Sequence, residues 1–222
     1  MILCADPRSQ FLAFQQEIEE SIARVLRSSF YILGEEVKAL EKEFAEYIGC
    51  DFVIGVANGT DALELALRAY DIGPGDEVIS VSHTAVATVA AIEAVGASPV
   101  LVDIEEEYFT INPYQVTQMI NKNTKAVIAV HLYGQPADLD SIQAICAEHN
   151  LALIEDVSQA HGSTYKNRRL GSIGDIGCFS CYPTKNLGAI GDAGLISTNN
   201  PDLAKKIRML REYGWEQRYI SD

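Results

Sequence analysis

The chain has 222 residues, 48% of them hydrophobic and 22% charged, a soluble globular composition with room for one large core. Its formal net charge of −14 repels nucleic-acid phosphates and anionic membranes, so any phosphate it binds must be held locally, by backbone amides or a few placed cations. No apolar run is long enough for a membrane span, and the opening MILCADPRSQ lacks the basic and apolar regions of a leader, so a cytoplasmic location is expected.

Apolar residues at three-to-four spacing predict amphipathic helices over Ser9 to Arg27 and Glu35 to Ile48. DFVIGVA reads as a short buried strand, followed by NGT and the helical DALELALRAY. The alternation continues with EVISVS, TAVATVAAIEAVG with Gly96 at its C-cap, SPVLVDI, PYQVTQMIN, KAVIAVHLYG, DLDSIQAICAEHN and LALIEDV. Such alternation predicts a mostly parallel sheet covered on both faces, with ligands at the carboxyl ends of its strands. NGT, SHT, HLYG and EDVSQAHG fall at those ends. From His161 the pattern changes to a hairpin or short antiparallel segment, then LISTNN closes as a strand and PDLAKKIRMLREYG begins a last helix.

The stretch CFSCYPTKNLGAIGDAGLIST places one Lys, Lys185, between two apolar runs. A lysine there either snorkels to water or has been given chemistry, and an amine able to lose its proton can bond an aldehyde. Asn58 to Thr60 puts unpaired amides and a hydroxyl at a helix start, which is an anion site or simply an N-cap. Glu155 and Asp156 end a buried strand, so a carboxylate there wants a partner: an arginine, or a protonated pyridine nitrogen. Ser180 is either a phosphate donor or a strand serine. His83 and His161 flank strand ends, where a structural role serves equally well; His131 reads as supporting and His149 as a helix-end cation. Five cysteines, Cys4, Cys50, Cys146, Cys178 and Cys181, form no framework and suit a reducing compartment. The single CxxC at Cys178 and Cys181 is half a zinc site, so no metal is expected.

From about Ile32 to its end the chain resembles the DegT/DnrJ/EryC1/StrS sugar aminotransferases, which are fold type I pyridoxal-phosphate enzymes. ANGTDALELAL, IEDVSQAHG and CFSCYPTKNLGAIGDAG carry the resemblance, in that order. It implies an α/β fold, a three-layer αβα sandwich with a mostly parallel mixed sheet forming the large domain of such an enzyme. It divides the chain into an N-terminal helical segment, 1–34, and a cofactor domain, 35–222, with no small C-terminal domain. By the same resemblance Lys185 would carry pyridoxal 5′-phosphate as a Schiff base, Asp156 would pair with its ring nitrogen and Gln159 would contact its ring hydroxyl. Gly59, Thr60, Asp61 through its backbone amide, and Ser180 would hold the phosphate. Members often stack an aromatic residue on the cofactor; here that position is Ala85, and His83 is the expected substitute.

The resemblance further implies transfer of an amino group from L-glutamate to a nucleotide-linked keto sugar, 3-keto favoured over 4-keto, by a homodimer with shared active sites. A segment resembling GLNSRLDE and a smaller domain that family members carry are not found in the sequence, so weak or absent activity is expected of these residues alone. The rival readings are another fold type I activity, such as a lyase or decarboxylase, and a non-catalytic regulatory or cofactor-binding protein.

Overall fold

The computed structural model describes residues 5–217 and 220–221, so Cys4 lies outside it. In chain order the elements are α1 (Pro7–Ala13), α2 (Gln15–Arg27), α3 (Glu35–Ile48), β1 (Phe52–Val56), α4 (Gly59–Ala69), β2 (Glu77–Val81), α5 (Val86–Ala94) and β3 (Ser98–Val102). They continue with α6 (Pro113–Met119), β4 (Thr124–Val130), α7 (Leu139–His149), β5 (Ala152–Asp156), β6 (Thr164–Tyr165), β7 (Arg168–Arg169), β8 (Ile176–Ser180), β9 (Gly194–Thr198) and α8 (Pro201–Arg211). A short pairing of Trp215–Gln217 with Ile220–Ser221 follows.

Seven strands form one sheet in the order β1-β9-β8-β5-β4-β2-β3. Neighbours from β3 to β8 pair in parallel, and β9 runs against both β8 and β1. The sheet is therefore mostly parallel with one reversed strand, the mixed α/β sandwich expected. Its centre is its most enclosed part: Ala126 to Val130 of β4 and every residue of β5 are buried. Strands enclosed on both faces read as continuous apolar runs rather than alternating ones. On the helical layers, α4 packs against α5 and α8, and α6 against α7.

Both sheet edges are protected. Pro99 removes a donor from β3, the edge strand at one side. At the other edge, the Gly55 N–H of β1 donates to Glu41 Oε1 (2.9 Å), while Arg208 and Arg211 donate to the Val53 and Gly55 carbonyls (both 3.1 Å). Both arginines also pair with Glu41. Burial pushes the Glu41 carboxyl up, but the Gly55 N–H and the two guanidinium groups outweigh it and hold the group below its usual range.

Two expectations are corrected. The periodic stretch from Ser9 to Arg27 is two helices that break at Phe14, whose φ of −124° is non-helical. Neither helix buries a residue; Leu12, Phe14, Ile22 and Leu26 are exposed. The segment after His161 divides its roles: β6 and β7 make a small separate hairpin, whereas β8 enters the main sheet parallel to β5.

Candidate active site

A cavity of about 570 Å³ opens at the carboxyl ends of the parallel strands. Its walls come from the start of α4, the start of α5, the ends of β4, β5 and β8, and the 182–192 loop. Of the predicted site residues, Gly59, Thr60, Asp61, Asp156, Gln159, Ser180 and Lys185 all line it.

At one end α4 begins over the cavity. Asn58 is its N-cap, and the Asn58 Oδ1 accepts the Asp61 N–H at 2.8 Å. The Asp61 amide assigned to a phosphate is thus already engaged. The Gly59 and Thr60 amides lie in the first turn, where helical geometry provides no partner, and so stay open to an acceptor. Gly59 is required by contact: a Cβ there would stand 2.6 Å from the Ser180 Cβ and 3.0 Å from its Cα. This close approach sets the Ser180 hydroxyl beside the same amides.

At the C-terminal end of β5 the two adjacent carboxylates have separate tasks. Glu155 is fully buried and tied to structure: it accepts from the amides of Gly171 (2.8 Å), Ile173 (2.8 Å) and Gly174 (2.7 Å) and from His131 Nε2 (3.2 Å). His131 Nδ1 accepts the Ala137 N–H at 3.1 Å, so its proton resides on Nε2 and points at Glu155. Burial raises the Glu155 carboxyl, but His131 and the loop amides more than offset it and keep the group ionised below its ordinary value. No arginine is involved.

Asp156, 5% exposed, faces the cavity instead. Thr88 Oγ1 donates to its Oδ2 at 3.0 Å and the Ser158 N–H to its Oδ1 at 3.2 Å. Each oxygen keeps a lone pair for a further donor. Thr88, in turn bonded to Thr84 at 2.8 Å, is a site residue that periodicity could not single out. It sits among the alanines and valines of α5, and nothing local marks it as Asp156's partner.

Lys185 lines the same cavity. It is half-buried rather than sealed, because β8 and β9 are buried while the loop joining them bows outward. Gln159 lines the wall with its Oε1 accepting the Tyr133 N–H at 3.1 Å, which leaves its amide NH₂ as donor. Asp192, Tyr182 and Thr184 line the cavity as well and were not anticipated. Ala85 is in the wall; His83 is not, and it sits exposed with its ring 6.0 Å from that of Tyr133 in an edge-on pair.

The CxxC is structural. Burial pushes Cys181 up to about 11 and Cys178 well above the usual thiol range, and Cys178 Sγ meets the Ala62 carbonyl. Among the described residues no cluster of His, Cys, Asp and Glu could hold a metal, and no helix is long and apolar enough to cross a membrane.

The cavity can hold an anion at the α4 end, a protonated nitrogen at Asp156 and a carbonyl near Lys185. Those three demands match a phosphorylated pyridine aldehyde, so the donor set fits pyridoxal phosphate.

Fold and site define the α/β architecture of fold type I aminotransferases. The DegT/DnrJ/EryC1/StrS aminotransferase family profile matches residues 13–222, and the chain belongs to that family. It is 49% identical over 219 residues to the dTDP-3-amino-3,6-dideoxy-alpha-D-galactopyranose transaminase of Aneurinibacillus thermoaerophilus, covering 99% of this chain and 60% of the relative. It is 46% identical over 214 residues to the dTDP-3-amino-3,4,6-trideoxy-alpha-D-glucose transaminase of Streptomyces venezuelae, covering 96% and 56%. The solved structure of S. venezuelae DesV superposes with a TM-score of 0.95 at 45% identity, over 98% of this chain and 58% of that one. The chain spans about three fifths of the length of the curated relatives it matches.

Proposed function

We infer that this chain binds pyridoxal 5′-phosphate and serves an aminotransferase that moves an amino group from L-glutamate to a nucleotide-linked keto sugar. The observation that carries this reading is one cavity presenting Lys185, the carboxylate of Asp156 and the open start of α4 together. The relatives named above make or use 3-amino sugars by name, which favours a 3-keto over a 4-keto substrate. Residues 35–222 are the cofactor domain in this reading, residues 1–34 a helical segment, and the working enzyme a homodimer.

In the bound state the cofactor supplies an aldehyde to carry the amino group and a ring to accept electrons. The Gly59 and Thr60 amides and the Ser180 hydroxyl bind its phosphate, so the acidic chain needs no cationic patch to hold a dianion. Asp156, fixed by Thr88 and Ser158, holds a proton on the ring nitrogen by keeping a negative charge beside it. The Gln159 amide NH₂ donates to the ring hydroxyl and orients the ring. Lys185 Nζ would bond the aldehyde carbon and, as a free amine, would take the proton from the amino donor's α-carbon.

Amino transfer tests this directly in the chain carried to the full length of its relatives. With L-glutamate and a dTDP-3-keto-6-deoxy sugar, 2-oxoglutarate should appear in step with the 3-amino product, and the 4-keto isomer should react more slowly. Release of carbon dioxide or ammonia without 2-oxoglutarate would identify a decarboxylase or lyase instead.

A further inference from the structure

Helix α5 opens without a side-chain cap. Its N-cap position is held by Ala85, whose side chain can accept nothing, while Thr84, a residue type that often caps, stands one place too early. The Thr84 hydroxyl is used elsewhere. Its Oγ1 lies 2.8 Å from Thr88 Oγ1, one turn along the helix, and Thr88 Oγ1 lies 3.0 Å from Asp156 Oδ2. Side chains from the β2–α5 connection, from α5 and from β5 therefore form one line of hydrogen bonds, which ends at the carboxylate facing the cavity.

Proton counting gives each bond its direction. A carboxylate oxygen only accepts and a threonine hydroxyl carries one proton, so Thr88 spends its proton on Asp156. The 2.8 Å bond must then run from Thr84 to Thr88, and Thr84 has no proton left for a ligand. Thr88 is 0% exposed, so bulk water cannot take the place of Thr84.

Thr88 has a competing partner on its own helix. A helical threonine can turn its hydroxyl back to the carbonyls three and four residues earlier, which here belong to Ala85 and Thr84. Turned that way it would release Asp156 Oδ2, leaving the Ser158 N–H on Oδ1 at 3.2 Å as the remaining hold on the carboxylate. A donor seated on the Thr88 oxygen opposes the turn, because it fixes that oxygen and strengthens the bond the same hydroxyl donates onward.

We propose that Thr84 is a positioning residue for Asp156 that acts through Thr88. By donating to the Thr88 oxygen it commits the Thr88 proton to Asp156 Oδ2 and sets the plane of the carboxylate in the cavity wall. The target of that carboxylate, a protonated ring nitrogen, rests on the reading given above; the ordered line of hydroxyls does not.

Paired substitutions in the 222-residue chain test this. Thr84→Val keeps the shape and removes the proton, Thr84→Ser returns the hydroxyl, and Thr88→Val breaks the line in the middle. In urea titrations without cofactor, Thr84→Val should lower the folding equilibrium constant about fivefold in the wild-type background and hardly at all in Thr88→Val. Titration with pyridoxal phosphate should show the same pattern, an affinity loss of about fivefold that Thr84→Ser recovers. The nitrogen-15 resonance of the ring-labelled cofactor should move toward its unprotonated position in Thr84→Val and return in Thr84→Ser, since a misaimed carboxylate holds that proton less well. Equal effects of Thr84→Val in both backgrounds, whether a loss or no change, would overturn the proposal. So would a lowered affinity with an unmoved ring resonance, the mark of a direct contact between Thr84 and the ligand. If the urea cycle shows the coupling but wild-type protein binds no cofactor, the line of hydroxyls stands and the aminotransferase reading fails.

Discussion

Replacing Gly59 by Ala is the sharpest probe of how the fold makes its anion site. The new Cβ would stand 2.6 Å from the Ser180 Cβ, against an optimal carbon–carbon separation of about 3.5–4.0 Å. No side-chain rotation relieves it, because the Ser180 Cβ is fixed to the backbone and its Cα follows at 3.0 Å. The start of α4 and the end of β8 must therefore separate by about an ångström, an overpacking cost of about 1–3 kcal/mol. In a domain of this size each kcal/mol lowers the melting midpoint by about 2–4 °C, so a fall of roughly 2–12 °C is expected in calorimetry. The same separation pulls the Gly59 amide from the Ser180 hydroxyl, and affinity for pyridoxal phosphate should fall about tenfold in equilibrium titration. Combining Gly59→Ala with Ser180→Gly removes the closest atom, so the double variant should be more stable than the sum of the single losses by about 1 kcal/mol. Additivity within about 0.5 kcal/mol in urea titrations would refute the account of why a glycine stands there.

Thr88→Val strips one donor from the buried Asp156 carboxylate and should cost about 1–2 kcal/mol in urea unfolding, together with weaker cofactor binding; an unchanged affinity would mean that Thr88 does not hold Asp156 in place. Glu155→Gln disturbs an acceptor shared by His131 and three loop amides, and should destabilise by about 3 kcal/mol even without cofactor. Acid should weaken the fold in two ways. Glu155, lowered in the folded state, contributes stability that is complete above its unfolded value and is lost as pH falls through its folded value. His161, lowered from 6.5 to about 4, takes its proton more readily when unfolded, so stability also falls between those pH values, by on the order of 3 kcal/mol. Urea midpoints at pH 7 and pH 4.5 should therefore differ less in His161→Phe than in the wild type.

Much of the site was legible because its parts occupy strand ends, where alternation of apolar runs marks them. Gly59, Asp156 and the Ser180–Lys185 stretch come from three distant segments, and the sheet topology brings them to one cavity. What escaped depends on contacts that periodicity does not encode. Glu155 and Asp156 are neighbours with equal claims until the pleat sends one to the 171–174 loop and the other to the cavity. The Asp61 amide looked free because the sequence shows an N-cap residue without showing which amide it takes. His83 is near Ala85 in the chain, but the start of α5 presents Ala85 to the cavity and leaves His83 against Tyr133. The apolar spacing from Phe11 to Val25 continues across Phe14, so it could not reveal the helix break there.

Whether Lys185 is the amine that holds the cofactor can be read from one experiment. The chain is mixed with pyridoxal phosphate, reduced with borohydride, digested and mapped by mass spectrometry. The account predicts a pyridoxyl group on Lys185, disappearing together with the visible absorbance band in Lys185→Ala. A label on any other lysine, or none on the wild-type chain, would contradict it.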